Sequence, residues 1–229
     1  MPIVRAMKMA ALGAALFGAG PAYAQLAISQ LVVELKAPSV RTADVEIFND
    51  GDERSYVAIE PRGIAAPGTK DMHDVHSPDP EKLGLLVSPA RMVLEPRERK
   101  TMRIAVIGGS SDTERVYRIT VKPVSGKVEA ELTGLKLLVG YDLLVLVRPA
   151  AVRQDIAISR QGRSLTLTNR GNSSVELADG KQCDAQGKDC RTLPAKRLYA
   201  GASWQQELPL GSPAEYRVRS AEGWSKLEM

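Results

Sequence analysis

Short segments of alternating apolar and polar residues recur along the chain, and they constrain its fold more than any other feature. Residues 42–48 alternate and end at the turn sequence Asn49-Asp50-Gly51, and similar segments follow at close spacing. Successive side chains of an extended strand point to opposite faces, so each segment predicts a strand with one buried face. Beyond the N-terminal region, no helical periodicity extends over twelve residues. The pattern predicts an all-β protein built from antiparallel sandwiches.

The strand pattern divides into two series at Arg148-Pro149, with about seven segments on each side. This division predicts two β-sandwich domains, residues 25–148 and a smaller one of residues 149–229. Because no Gly/Ser-rich linker stands at the join, we expect the domains to hold a fixed angle. Residues 63–82 contain several prolines and many charges, and they predict a long loop.

The N-terminus has the three parts of a secretory signal peptide. Arg5 and Lys8 precede a short apolar run, which ends in the small-residue sequence Ala-Tyr-Ala24. A membrane helix is the alternative, but the run is too short to span a bilayer. We therefore expect export, cleavage after Ala24 to remove residues 1–24, and no stable membrane insertion of the mature protein.

Two cysteines, Cys183 and Cys190, flank a short segment that contains Gly187. In an oxidising compartment we expect them to form a disulfide. A metal pair is the alternative, but it would need two further ligands, and the two histidines, His73 and His76, lie far away in sequence. The histidines and their neighbouring aspartates belong to the predicted loop, where we expect surface residues and no metal site.

Charge and motifs argue against nucleic-acid binding and catalysis. The formal net charge is +4, of which the leader contributes two units, and no basic run with interleaved aromatic residues occurs. The chain contains no Gly-x-Ser-x-Gly, His-Glu-x-x-His or glycine-rich phosphate loop. We predict that the protein is not an enzyme, has no cofactor and does not bind nucleic acid.

One alternating stretch is longer than a strand of a small domain requires. Every second residue from Leu135 to Tyr141 is large and apolar, and the apolar pattern continues to Val147, whereas strands of about five or six residues are usual. We predict one long strand whose apolar face serves another protein's sheet. The alternative is that these side chains form the core of their own domain. The four side chains are those of Leu135, Leu137, Val139 and Tyr141.

Three segments, in this order, resemble the PapD-like periplasmic chaperones of pilus assembly. Residues 46–50 are similar to the second strand and turn of that family's first domain, and residues 87–104 to its proline-containing signature stretch. Residues 135–149 are similar to its donor strand and the Arg-Pro at its hinge. The resemblance implies two immunoglobulin-like domains, a periplasmic location, pilus subunits as partners and delivery of those subunits to an outer-membrane usher.

The resemblance also implies donor-strand complementation, in which the four apolar side chains fill a gap in an incomplete subunit. It implies an ion pair between Glu114 and Arg148 at the domain hinge, for which a plain surface pair is the alternative. Family members grip the subunit's terminal carboxylate with an Arg and a Lys, but the corresponding places here hold Val33 and Leu144, which indicates a divergent branch. The candidate substitutes for this carboxylate anchor are Lys36, Arg118 and Lys136.

The main alternative function is a structural or adhesive role, either as a pilus subunit or as a sandwich protein of the cell surface. A subunit would polymerise through an N-terminal extension. Here the expected mature start, residues 25–29, leads almost directly into the first predicted strand. This short start favours the chaperone.

Overall fold

The computed structural model describes residues 26–36, 38–124 and 138–229, and strands make up most of them. The only helix within these ranges is the four-residue α1, Pro80–Leu83. The strands before the hinge are β1 Leu26–Ile28, β2 Val32–Lys36, β3 Thr42–Asn49, β4 Ser55–Ala65, β5 His73–Val75, β6 Leu85–Ser88, β7 Arg91–Leu94, β8 Arg99–Val106, β9 Arg115–Val124 and β10 Tyr141–Arg148. Those after the hinge are β11 Ile156–Gln161, β12 Ser164–Asn169, β13 Val175–Cys183, β14 Cys190–Leu193, β15 Lys196–Leu198, β16 Ser203–Glu207, β17 Ala214–Ser220 and β18 Gly223–Glu228.

The first domain is a sandwich of two sheets. One sheet has the strand order β1-β3-β8-β6, and the other has the order β2-β10-β9-β4-β5 with β7 beside β4. The pairing is antiparallel except between β2 and β10, which run parallel. Alternate residues of both sheets meet in a shared apolar core, which includes the fully buried Leu35, Val45, Ile104, Ile119 and Val145.

The second domain is a smaller sandwich of the same kind. Its sheets have the strand orders β11-β12-β16 and β14-β13-β17-β18, with β15 beside β13. Leu165, Leu177 and Leu208 are fully buried between them. The buried Tyr216 also belongs to this core, and its hydroxyl donates to the carbonyl of Pro194 at 3.1 Å. The predicted all-β fold of two sandwiches is confirmed.

Polar and apolar contacts hold the two domains together. Tyr199 of the second domain packs on the outer face of the first domain, against Val116 and Leu146. The side chain of Asn172 donates to the carbonyl of Asp112 at 2.8 Å, and its own carbonyl accepts from the backbone N–H of Glu114 at 2.9 Å. These contacts fix the angle between the domains, as the missing linker predicted.

The prediction of a long loop over residues 63–82 is wrong in part. Strand β4 continues to Ala65 and pairs with β5, and α1 follows. The side chain of Asp79 caps α1 by accepting from the N–H of Glu81 at 3.0 Å, and Gly84 ends the helix in the left-handed conformation. Such short elements depend on caps and tertiary pairing, so periodicity in the sequence does not reveal them.

The predicted disulfide between Cys183 and Cys190 is confirmed. The two residues stand directly opposite each other in β13 and β14. A turn closes the hairpin between them, in which the N–H of Gly187 donates to the carbonyl of Asp184 at 3.0 Å. The covalent bond therefore closes a short loop at one end of the second domain.

Replacing both cysteines with serine should lower the free energy of unfolding of the second domain by about 2–3 kcal/mol, because the unfolded loop gains entropy. Both tryptophans, Trp204 and Trp224, lie in this domain, so their fluorescence during guanidinium denaturation reports its unfolding. The reduced wild type should match the double variant. A midpoint equal to that of the oxidised wild type would mean that the bond does not stabilise the domain.

Candidate functional site

The stretch before the hinge does not form the single long strand that the sequence predicted. Strand β10 begins at Tyr141, and Leu138–Gly140 lie outside any strand. Leu135 and Leu137 lie outside the described residues. The difference has a physical reason, because β2 lies beside β10 only from Leu144 onward, and the earlier residues lack that second neighbour.

Val139 and Tyr141, which the sequence placed on one face, differ in their surroundings. The Val139 side chain is 54 % exposed and belongs to no core cluster of the described residues. Tyr141 is half-buried against the first domain's core, and its hydroxyl donates to the carbonyl of Leu26 at 2.7 Å. Their own domain therefore uses Tyr141 in part and leaves Val139 exposed.

The same face of β10 continues into the first domain's core. Leu143, Val145 and Val147 follow Tyr141 at alternate positions, and all three are buried there. By the same alternation, Val139 stands one step beyond Tyr141 at the end of the sandwich. The apolar face of this segment thus extends past the core that its own domain fills.

One edge of β10 is unfinished over its first three residues. The parallel pairing with β2 begins at Leu144, opposite Val32, and within the described ranges no strand covers Tyr141–Leu143 on that side. Unpaired backbone N–H and C=O groups at a sheet edge are a template for another strand. The unfinished edge and the exposed Val139 occur at the same end of the sandwich.

The outer face of the β2-β10-β9-β4 sheet carries a row of side chains parallel to the one that Tyr199 covers. The backbone register places Arg62, Arg118, Leu144 and Val32 side by side across four strands. The strand positions that the family resemblance assigned to the carboxylate anchor are apolar here. Two guanidinium groups stand in the same row, one and two strands further along.

The sequence assignment of Val33 to one of those positions is wrong. Val33 is 2 % exposed and belongs to the core, whereas Val32 is the β2 residue opposite Leu144 on the outer face. A shift of one residue along a strand moves a side chain to the other face of its sheet. Leu144 does lie on the outer face, packed with Val116 and Leu146.

A cluster of charged residues surrounds the two guanidinium groups. Arg62 makes a two-pronged contact with Asp142, at 2.9 Å and 3.1 Å, and its Nε lies 3.0 Å from an oxygen of Asp74. A guanidinium nitrogen of Arg118 lies 3.7 Å from the Asp142 carboxylate. The hydrogen bond to Asp142 raises the pKa of Arg62, which therefore stays protonated at any physiological pH.

The cluster lines a pocket of about 280 Å³ between the domains, opposite Tyr199. Burial raises the pKa of the Tyr199 hydroxyl, and the nearby Arg118 partly opposes that shift. Arg118 is 35 % exposed, so part of its guanidinium is open to a ligand in the pocket. Of the three candidate anchors from the sequence, Arg118 alone is placed by the structure in this pocket.

The other two candidates lie elsewhere. Lys36 stands beside Arg148 at the hinge end of β2, where its ammonium donates to the carbonyl of Ala221 in the second domain at 3.3 Å. Lys136 falls outside the described residues.

The structure brings Glu114 and Arg148 together at the hinge. Their side chains are 1 % and 2 % exposed, so the contact is a buried ion pair. The Arg148 guanidinium also lies 3.1 Å from an oxygen of Glu34 and donates to the hydroxyl of Ser173 and the carbonyl of Ser174, both at 2.9 Å. One guanidinium therefore links both domains.

Three residues of the site escaped sequence reasoning: Glu34, Arg62 and Asp142. Glu34 also lies 3.6 Å from Arg219 of the second domain, and the other two form the fork described above. All three stand on outward-facing strand positions, where charged residues are common. Their partners are distant in sequence, so only the order of the strands in the sheet reveals the pairings.

The described residues contain no group of three or more His, Cys, Asp or Glu side chains arranged to hold a metal ion. Asp74, next to His73, pairs with Arg62 instead. None of the helices in the described ranges has the length and apolar character needed to cross a membrane.

Comparison with known proteins gives consistent matches. Residues 25–153 match the family described as pili and flagellar-assembly chaperone, PapD N-terminal domain. A CS1 fimbrial protein of Escherichia coli is 26 % identical over 190 residues, which cover 78 % of this chain and 79 % of that protein.

Two solved structures are also similar. The class 5 fimbriae chaperone CfaA has a TM-score of 0.65 and 21 % identity, covering 89 % of this chain and 98 % of its own. A structure of the Salmonella enterica SafA pilin in complex with the SafB chaperone gives a TM-score of 0.66 and 18 % identity, covering 92 % and 98 %. At these identities the similarity shows a shared fold. Because the family match covers more than half of the chain, this protein belongs to the PapD-like family of pilus-assembly chaperones, which are not enzymes.

Proposed function

We propose that this chaperone binds pilus subunits in the periplasm by donor-strand complementation and delivers them to an outer-membrane usher. The observation that supports the proposal is the exposed Val139 beside the unfinished edge of β10. An incomplete subunit sandwich needs a strand with an apolar face, and this end of the chaperone offers both. Family membership favours this role over that of a pilus subunit or an adhesive surface protein.

Burial of the four apolar side chains provides the driving force. Leu135, Leu137, Val139 and Tyr141 would each contribute about 1.5–3 kcal/mol if fully buried in the subunit. Tyr141 contributes at the low end of this range, because its own domain already buries part of it. Ordering of the chain on binding offsets part of the total.

A test of the proposal is co-expression of the full chain, including its leader, with the subunits encoded beside it. The chaperone should be recovered from the periplasm in a soluble one-to-one complex with a subunit that aggregates when expressed alone. Recovery of the subunit in equal soluble amounts without the chaperone would contradict the proposal.

We assign the subunit's terminal carboxylate to Arg118, which is partly exposed in the pocket between the domains. A guanidinium binds a carboxylate through charge-assisted hydrogen bonds. Replacing Arg118 with Gln keeps hydrogen-bond donors and removes the charge. We expect this change to lower the affinity for the subunit about tenfold.

The measurement compares two synthetic peptides that carry the last fourteen residues of the co-purified subunit, one with a free carboxylate and one with a terminal amide. Titration into the mature chaperone should show that the wild type prefers the acid, whereas Arg118→Gln binds both peptides equally. Lys36→Gln is the matched control, because Lys36 contacts Ala221 at the hinge, and it should keep the preference. An acid preference that survives in Arg118→Gln would refute the assignment.

A further inference from the structure

The Asp142 carboxylate lies between the two guanidinium groups of the pocket. It accepts from both terminal nitrogens of Arg62, at 2.9 Å and 3.1 Å, and one of its oxygens lies 3.7 Å from Arg118. The hydroxyl of Thr120 donates to the same carboxylate at 3.1 Å. Asp142 thus already makes the kind of contact that a peptide's terminal carboxylate would make.

The surrounding charges cancel. Arg62 and Arg118 supply two positive charges, and Asp142 and Asp74 supply two negative ones. An arriving carboxylate would therefore meet a neutral cluster whose guanidinium donors are mostly occupied. It gains a strong contact only where an internal acid gives way.

The two arginines hold Asp142 unequally. Arg62 holds it through two short hydrogen bonds and is itself largely buried, whereas Arg118 is more exposed and lies further from the carboxylate. The Asp142 side chain is 42 % exposed on the outer face, while its backbone is paired with Thr120 in the sheet. The contact that yields most easily is therefore the one between Asp142 and Arg118.

We propose that Asp142 is a built-in competitor for the subunit's carboxylate, one that limits how tightly Arg118 holds the subunit. This inference rests on the proposed function. Arrival of the subunit in the pocket breaks the contact between Asp142 and Arg118 and leaves the fork with Arg62 in place. Because Asp142 also stands at the start of β10, the competing acid is attached to the strand on which the subunit docks. A competitor of this kind keeps the complex weak enough for the subunit to be passed on.

Replacing Asp142 with Asn removes the charge and keeps one hydrogen-bond acceptor for Arg62. With the free-acid peptide as probe, we expect this variant to bind about tenfold more tightly than the wild type, which corresponds to about 1.4 kcal/mol. Affinity for the amide peptide should not change. Asp142→Ser should behave in the same way, and it serves as the second variant if Asn disturbs folding.

The matched control is Asp44→Asn. Asp44 makes a comparable two-pronged contact with Arg103, at 2.7 Å for each prong, in the other sheet of the same domain. This change should leave the affinities for both peptides unaltered.

The possible outcomes separate the inference from the proposed function. If the wild type prefers the acid but neither Asp142 variant binds it more tightly, the competitor is refuted and the anchor stands. If the wild type shows no preference and the variants gain one, Asp142 occupies the anchor fully, which supports the inference. If neither the wild type nor the variants distinguish the peptides, both the anchor and the competitor are wrong.

Discussion

Replacement of Leu137 and Val139 by Asp should abolish the capture of pilus subunits, a loss of at least about a thousandfold in affinity. Each substitution removes an apolar side chain worth about 1.5–3 kcal/mol on burial and puts a carboxylate into an apolar gap, which costs several kcal/mol more. Val139 is exposed in the chaperone itself, so both domains should remain folded. The measurement is the yield of soluble complex after co-expression, with circular dichroism of the purified variant as the folding check.

Leu138→Asp provides a matched control at the neighbouring position. Leu138 is also a large apolar residue, 40 % exposed, and by strand alternation it faces away from Val139. Because the added charge would point away from the subunit's core, this variant should still capture the subunit. Equal losses from Leu138→Asp and from the double substitution would mean that general hydrophobic contact, and not a strand with one inserted face, holds the subunit.

The second large effect is expected at the hinge. Arg148→Ala should destabilise the chaperone by about 3–5 kcal/mol, because it leaves the buried Glu114 carboxylate without its counter-charge. It also removes the link to Ser173 and Ser174 of the second domain. Denaturant unfolding should therefore show a lower midpoint, together with separate transitions for the two domains.

Two variants distinguish the loss of charge pairing from the loss of side-chain volume. Arg148→Met with Glu114→Leu removes both buried charges, and it should recover much of the stability that Arg148→Ala loses. Arg103→Ala breaks an exposed pair with Asp44 and should leave the midpoint unchanged. A midpoint for Arg148→Ala equal to that of the wild type would show that the buried pair does not hold the domains.

Much of the fold could be predicted from alternation and punctuation, because the strands are half-buried and their turns carry Asn, Asp and Gly. The cysteine pair was also predictable, since two cysteines at short spacing in an exported chain leave few alternatives. The failures lie where one residue of register matters. Val33 and Val32 have the same side chain, and only the pairing of β2 with Leu144 decides which of them faces the core.

The charged pocket was the least predictable part of the site. Arg118 could be suspected as an isolated cation in a strand, but its neighbours Arg62 and Asp142 come from strands that the sequence does not order. Charges at such alternating positions are typical of any solvent-exposed strand face. Sheet order is a tertiary property, and it turned three scattered charges into one cluster.

Amide hydrogen exchange over residues 134–143, measured by mass spectrometry on the free chaperone and on its purified complex with the subunit, tests the loan of this strand most directly. Main-chain pairing with the subunit predicts that these amides exchange more slowly in the complex, while those of the central strand β4 keep their rates. Unchanged exchange over residues 134–143 in a complex that is otherwise intact would contradict the donor-strand account.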